Sequence, residues 1–195
     1  MAEPLCPPWL SFTLTNIFRR TAHDPVRILR PFIREGDTVI DVGNGPGYFT
    51  VPMARMVGDR GLVIAVDIQS KMLEKTRRRA ERAGVAGRIR PVLATTKTLG
   101  LNAKADFALA FWMVHEVDDL GSLFAEILAA LKPDGILLLV EPLVHVDKHR
   151  FDEILTAAIG VGFESRETEA IRLSRAVVLK PAAPSRSREE ADTGS

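Results

Sequence analysis

Short aliphatic runs alternate with longer amphipathic stretches from Asp37 onward. Runs of Val, Ile and Leu without polar alternation predict strands that are buried on both faces, as in a parallel sheet. The predicted strands are Thr38 to Val42, Val63 to Val66, Ile89 to Leu93, Phe107 to Ala110, Ile136 to Glu141 and Ser174 to Leu179. Strands that alternate with helices in this way predict an α/β fold with helices on both faces of the sheet.

Two of the helices have clear local signals. Apolar residues recur every three or four positions from Leu120 to Leu131, and Pro133 is expected to end that helix. A later helix is predicted to start with Asp147 as its N-cap, because Val146 and Phe151 then stand at the two positions of a hydrophobic staple.

The segment ahead of the first strand predicts a helical cover. Asp24 followed by Pro25 is a typical N-cap and first helical residue, and an apolar helix is predicted before it. Trp9 and its apolar neighbours need a surface to rest on, and the edge formed by the strand carboxyl ends offers one. We therefore expect residues 1–36 to form an N-terminal helical lid over the sheet.

Composition limits the number of domains and the kinds of partner. The chain has 195 residues, 46% of them hydrophobic and 26% charged, which predicts one ordinary globular domain over residues 37–180. The small polar residues of 181–195 predict a disordered tail. A net charge of +1 supplies no overall field for attracting nucleic acid, and no apolar run approaches the ~20 residues of a membrane span.

Cysteine usage and the N-terminus predict the compartment. Cys6 is the single cysteine of the chain, so an intrachain disulfide is excluded and a reducing environment is expected. The first residues lack the basic segment and apolar stretch of a signal peptide. These features predict a cytoplasmic protein.

The residues that carry chemistry begin where the first strand ends, in VIDVGNGPGYFT. Gly43, Gly45 and Gly47 allow a tight turn and a close approach of the backbone to a ligand. Dinucleotide binders instead use G-x-G-x-x-G, and Asp41 would repel a pyrophosphate but pair with an ammonium group. Asp67 ends the second strand, where an acid accepts hydrogen bonds from ribose hydroxyls. The pattern predicts a nucleoside ligand that carries an amine and lacks a pyrophosphate.

These residues resemble the class I S-adenosylmethionine-dependent methyltransferases. The resemblance continues through DFALAFWMVHE and KPDGILLLVEP, and it covers about Asp37 to Lys180. The subgroup it is most similar to is that of ubiquinone and menaquinone biosynthesis, in which a His followed by an acid also comes after the fourth strand. It implies a doubly wound, Rossmann-like, seven-stranded and mostly parallel sheet, with S-adenosylmethionine as cofactor and S-adenosylhomocysteine as product.

The resemblance also implies a set of cofactor-binding residues. They are Asp41, Gly43, Asn44, Gly45, Gly47, Tyr48, Asp67, Ile68, Met72, Thr95 and Phe111. Asn44 stands where the family often has Cys. The usual acid that binds the adenine amine is replaced by Ala94, Thr95 and Thr96, which leaves Thr95 or a backbone carbonyl for that contact.

His115 and Glu116 are the candidate catalytic residues, since they follow the fourth strand at the edge where a methyl acceptor would lie. His titrates near neutrality, so His115 is the candidate base, and a capping or packing role is the alternative. The candidate acceptor-binding residues are Trp112, Glu141, His145 and Trp9. No metal site is expected, because the four histidines lack a recognisable ligand spacing.

The sequence therefore predicts methyl transfer from S-adenosylmethionine to a small molecule. The alternatives are a nucleic-acid or protein methyltransferase, a nicotinamide-dependent oxidoreductase, and a cofactor-binding module without catalysis. The basic stretch from Lys71 to Arg90 contains interspersed glutamates, which predicts a solvated helix face rather than a phosphate site. The acceptor, the accepting atom and the oligomeric state stay open.

Overall fold

The computed structural model describes residues 23–183, so Trp9, the predicted helix around it and residues 184–195 lie outside the described part. The strands are β1 Thr38–Val42, β2 Leu62–Asp67, β3 Ile89–Leu93, β4 Ala105–Phe111, β5 Leu131–Pro142, β6 Phe163–Arg166 and β7 Ser174–Pro181. The helices are α1 Pro25–Leu29, α2 Thr50–Met56, α3 Ser70–Arg82, α4 Leu120–Ala130 and α5 Lys148–Gly160.

The strands form one seven-stranded sheet in the order β3-β2-β1-β4-β5-β7-β6. Strands β1 to β5 pair in parallel, and β7 runs antiparallel to both of its neighbours. The predicted doubly wound, mostly parallel sheet is confirmed. The chain leaves β1 toward β2 and β3 on one side and returns to β4 on the other, so the switch point for ligand binding lies at the carboxyl ends of β1 and β4.

Apolar helix faces cover both sides of the sheet, as the sequence predicts. Phe124 and Ile127 of α4 pack with Ile154 of α5 in one core layer. Leu29 of α1 and Met53 of α2 pack in the other layer. Each layer is closed by the aliphatic side chains of the strands, and this fixes the strand ends that carry the polar residues.

The predicted helix starts are confirmed. Asp24 Oδ1 accepts a hydrogen bond from the backbone N–H of Val26 at 2.9 Å, and α1 begins at Pro25. Asp147 Oδ1 accepts one from the N–H of Arg150 at 2.7 Å and caps α5. The described part of the N-terminal segment also contributes buried residues to the core, whereas its boundary at residue 36 stays a prediction.

Three details of the strand and helix predictions need correction. Strand β6 has no counterpart among the predicted strands, because Phe163 is its one buried residue and so short a run carries little apolar signal. Strand β3 is an edge strand rather than a buried one, with Pro91 exposed where a missing N–H costs no ladder bond. Helix α4 ends at Ala130, and Leu131 already belongs to β5.

Candidate active site

The loop after β1 takes its shape from three left-handed glycines, with φ of +68° at Gly43, +52° at Gly45 and +81° at Gly47. A Cβ on Gly43 would lie 2.9 Å from Met113 Cγ, and one on Gly47 would lie 2.9 Å from Thr76 Oγ1. A Cβ on Gly45 would meet no heavy atom within 4 Å. Two of the glycines are therefore required by packing, and the third leaves open space beside its Cα at the switch point.

Asp67 joins this loop to the end of β2. Its Oδ2 accepts a hydrogen bond from the N–H of Gly45 at 2.9 Å, and its Oδ1 accepts one from the N–H of Gln69 at 2.8 Å. Asp67 is 8% exposed. A carboxylate has about four acceptor sites, so each oxygen can accept one further hydrogen bond from a ligand hydroxyl.

Buried side chains support the same loop from beneath and from α3. Asp41 accepts a hydrogen bond from Thr50 Oγ1 at 2.6 Å, which ties β1 to α2. Asn44 Nδ2 donates to Thr76 Oγ1 at 2.8 Å, and Thr76 Oγ1 donates to the carbonyl of Gly45 at 3.0 Å. Thr76 was not predicted as a site residue. The helical spacing of Met72, Thr76 and Ala80 nevertheless predicts that Thr76 lies on the inward face of α3. Met72 lies on that buried face too.

The carboxyl ends of β2 and β3 present apolar side chains to solvent. Ile68 is 60% exposed and Leu93 is 58% exposed. The two residues lie at neighbouring strand ends, because Leu93 is the register partner of Asp67, which precedes Ile68. Thr95 follows, and its hydroxyl accepts hydrogen bonds from the N–H groups of Lys97 at 3.2 Å and Thr98 at 3.1 Å. Both lone pairs of that hydroxyl are thereby used, so Thr95 Oγ1 offers its proton alone to a ligand.

Two aromatic residues form a wall at the end of β4. Trp112 has a φ of +58°, which is rare for a bulky residue and is characteristic of functional sites. Its indole Nε1 donates to Ser174 Oγ at 3.0 Å, and its ring centroid lies 5.6 Å from that of buried Phe111. The ring of His23 contacts both by its edge at 5.1 Å. The hydroxyl of Tyr48 donates to the carbonyl of His23 at 2.5 Å.

His115 lies on a short 3-10 turn, Val114–Glu116, that follows β4. Its Nδ1 hydrogen-bonds Glu141 Oε2, and Glu141 Oε1 accepts from the N–H of Val114 at 2.9 Å. The hydrogen bond to Glu141 raises the pKa of His115 above its ordinary value, against the opposing effect of burial. The ring of His145 stacks on that of His115, with centroids 5.8 Å apart and planes 11° apart.

The structure thus brings His115, Glu141 and His145 together at the strand ends. Glu141 was expected to contact the acceptor, but it is 0% exposed and both of its oxygens bond to the turn after β4. Glu116 is exposed on the same turn. Trp9 lies outside the described residues.

Other features of the described residues add nothing to the candidate site. A cavity of about 820 Å³ is lined by α1, Tyr48 and residues 168–172, and it includes neither the glycines of the loop nor His115. Arg77 pairs with Glu74 and Glu81 along α3, as predicted for a solvated face. Within residues 23–183 no three His, Cys, Asp or Glu side chains are arranged to hold a metal ion, and no helix is long and apolar enough to cross a membrane.

The sheet order with its one reversed strand, together with the glycine loop beside Asp67, defines a nucleoside-binding α/β domain. Residues 39–135 match the family described as a methyltransferase domain. A crystal structure of a SAM-dependent methyltransferase from Aquifex aeolicus has the same fold, with a TM-score of 0.77, 22% identity and coverage of 91% of this chain and 100% of that one.

Curated relatives agree with the family match. The ubiquinone/menaquinone biosynthesis C-methyltransferase of Haemophilus ducreyi is 32% identical over 133 residues, which are 68% of this chain and 49% of that protein. Its counterpart in Francisella tularensis subsp. holarctica is 29% identical over 148 residues, 74% of this chain and 57% of that protein. The chain spans about half the length of these relatives. It belongs to the class I S-adenosylmethionine-dependent methyltransferase family, and S-adenosylmethionine is the cofactor of that family.

Proposed function

We propose that this protein transfers the methyl group of S-adenosylmethionine to a small-molecule acceptor. The observation that carries the proposal is the open space beside the Cα of Gly45, next to an Asp67 carboxylate that accepts from the Gly45 N–H and retains acceptor sites. This arrangement suits a ligand with an extended polar chain beside the loop and a ribose beside the acid.

The described residues fit each part of the cofactor. The glycine loop would hold the methionine part, with Asp41 below it as the predicted partner of the amino group, and Asp67 would accept from the ribose hydroxyls. The exposed side chains of Ile68 and Leu93 offer an apolar platform for the adenine ring. Phe111 closes the edge near the switch point.

The adenine contact departs from the family pattern in a defined way. The lone pairs of the Thr95 hydroxyl are already used, so this hydroxyl can only donate to a ligand. It therefore suits a hydrogen-bond acceptor on adenine, such as a ring nitrogen. The exocyclic amine of adenine is a donor, so it would pair with a backbone carbonyl instead. Of the two partners left open by the sequence, the carbonyl is therefore the one we propose for the amine.

The acceptor would lie over the carboxyl ends of β4 and β5, where His145 stacks on His115 and Trp112 directly follows β4. The bound cofactor supplies an activated methyl group, and much of the rate would come from holding the acceptor in line with it. His115 would remove a proton from the acceptor, whereas Glu116 is exposed and contributes negative charge near that ring. The names of the curated relatives refer to ubiquinone and menaquinone biosynthesis, which supports a small molecule rather than a nucleic acid or protein as acceptor.

Calorimetry with S-adenosylhomocysteine and NAD tests the cofactor assignment. We expect micromolar binding of S-adenosylhomocysteine and no binding of NAD, because the loop spacing and Asp41 disfavour a pyrophosphate. Binding of NAD in the absence of S-adenosylhomocysteine binding would make the oxidoreductase alternative the correct one. Screening a metabolite panel with methyl-labelled cofactor would then identify the acceptor.

Replacing Asp67 by alanine should weaken S-adenosylhomocysteine binding by ~1 to 3 kcal/mol, through the loss of hydrogen bonds to the ribose. The same change removes the partners of the Gly45 and Gln69 N–H groups, so the free energy of unfolding must be measured alongside affinity. Asp59→Ala is a suitable control, because that exposed acid pairs with Arg88 away from the loop. An unchanged affinity in a folded Asp67 variant would remove this residue from the proposed site.

A further inference from the structure

Glu141 is a buried carboxylate that, within the described residues, hydrogen-bonds only the turn after β4. It lies near the end of β5 at 0% exposure, and it bonds the backbone of Val114 and the ring of His115. Within residues 23–183, His115 is the one ionisable side chain that hydrogen-bonds it. A buried carboxylate needs a hydrogen-bonding partner that can carry positive charge, so the two side chains stabilise each other.

The hydrogen bond to Glu141 indicates which nitrogen of His115 carries the proton. A carboxylate can only accept, so the bonded Nδ1 must be the donor. In the neutral ring Nε2 then holds the lone pair, and the ring retains 19% side-chain exposure at the strand edge. A buried acid bonded to one ring nitrogen is the usual device that orients a histidine and raises its basicity.

We propose that Glu141 is the positioning residue of the base: it holds His115 in the Nδ1–H tautomer, with Nε2 directed to accept a proton from a hydroxyl of the methyl acceptor. The proposal rests on the proposed function and narrows its substrate class to small molecules with a weakly acidic hydroxyl, of the phenol or enol type. A neutral amine acceptor already has a free lone pair and would not require a base held in this way.

The proton transfer balances without a further reactant. The hydroxyl proton moves to Nε2 and forms an imidazolium whose charge is shared with Glu141. The electron pair left on the acceptor would form the new bond to the methyl carbon that the bound cofactor supplies, and the electrons of the broken carbon–sulfur bond would stay on the sulfur. The imidazolium returns its proton to solvent after product release.

In the described part of the chain, four groups act on the charge of His115. Glu141 of β5 and Glu116 of the same turn favour the protonated ring, and Arg150 of α5 disfavours it. His145 stacks face to face with the ring, so its own protonation would oppose that of His115. Glu141 is the one of these groups that both hydrogen-bonds the ring and is fully buried, which makes it the residue to substitute.

The test is nitrogen-15 NMR of the full chain labelled at histidine, which needs no acceptor. In the wild type we expect the Nδ1–H tautomer above the histidine pKa, and a titration midpoint above the ordinary value of about 6.5. Glu141→Gln should lower that midpoint to the ordinary value or below and populate the Nε2–H tautomer, because its amide can donate to Nδ1. Glu141→Asp keeps the charge and should keep the midpoint above that of the Gln variant.

Asp106→Asn is the matched control. Asp106 likewise accepts from a backbone N–H, that of Thr38 at 3.0 Å, and from a cationic side chain, that of Lys132 at 2.7 Å, but at the start of β4. It should leave the His115 titration unchanged. An Nε2–H tautomer in the wild type, or an unaltered midpoint in folded Glu141→Gln, would overturn the proposal.

The wild-type tautomer decides the question even if Glu141→Gln does not fold. Calorimetry with S-adenosylhomocysteine on the same samples separates this proposal from the cofactor assignment. We expect its affinity to be unchanged in Glu141→Gln, because Glu141 bonds the turn after β4 and not the glycine loop. Normal S-adenosylhomocysteine binding together with an Nε2–H tautomer of wild-type His115 would overturn the role of Glu141 and leave the cofactor assignment in place.

Discussion

Replacing His115 by alanine is expected to lower turnover by ~10²-fold or more, because general-base assistance contributes factors of that size. The affinity for S-adenosylhomocysteine should barely change, since among residues 23–183 the His115 ring hydrogen-bonds Glu141 and not the loop after β1. Turnover is measured by transfer of labelled methyl from the cofactor to the acceptor found in the metabolite panel. A histidine that only caps or packs would instead lower stability and leave the rate per folded molecule intact.

The pH dependence of turnover also tests whether His115 is the base. The pKa of His115 determines the direction in which turnover should change with pH. A base works in its neutral form, and the hydrogen bond to Glu141 raises the pKa of His115. Turnover of the wild type should therefore increase with pH through a midpoint above about 6.5, and this limb should disappear in His115→Gln, whose amide has no useful basicity. His149→Gln is the matched control, because His149 is exposed on α5 and pairs with Glu153.

Near-wild-type turnover of His115→Gln across roughly pH 5 to 8, the range of histidine titration, would exclude this residue as the base. The reaction would then depend on proximity and orientation alone. That outcome is compatible with the cofactor site, which shares no hydrogen bond with His115 among the described residues, and it would favour an acceptor that is already nucleophilic.

The sheet was predictable because local signals and tertiary structure agree. Buried parallel strands such as β1 and β4 are runs of aliphatic residues, and the N-caps Asp24 and Asp147 mark helix starts by their own hydrogen bonds. β6 was missed because its pairing with β7 is antiparallel and at the sheet edge, where exposed polar side chains such as Glu164 are tolerated. β6 forms because it pairs with β7, and its own composition does not favour a strand.

The candidate site was predictable in its parts but not in its connections. The spacing of the glycines and Asp67 identified the cofactor half-site, since backbone shape and one acid determine it. The hydrogen bond from His115 to Glu141 joins residues 26 positions apart, and the sequence shows only that both follow strands at the same edge. The sequence therefore predicted Glu141 as an acceptor-binding residue, and the structure shows it buried and hydrogen-bonded to His115.

The role of Gly47 likewise depends on a contact that no local pattern reveals. Its backbone lies against α3, so a Cβ there would approach Thr76 Oγ1 at 2.9 Å and the backbone Cα of Thr76 at 3.2 Å. The hydroxyl of Thr76 cannot simply rotate away without loss, because it donates to the carbonyl of Gly45 and accepts from Asn44. The loop and α3 therefore have to be this close for the loop to keep its shape.

Gly47→Ala is accordingly expected to lower the free energy of unfolding by ~2 to 5 kcal/mol, from left-handed strain of ~1 to 2 kcal/mol and overpacking of ~1 to 3 kcal/mol. Gly84→Ala separates the two contributions, because Gly84 has a φ of +69° and a Cβ there would meet no heavy atom within 4 Å. Denaturant unfolding of both variants should show the larger loss for Gly47→Ala, and calorimetry should show that it alone loses S-adenosylhomocysteine binding. Equal losses of stability in the two variants, with cofactor affinity retained in both, would contradict the close packing of this loop on α3 and its role in binding.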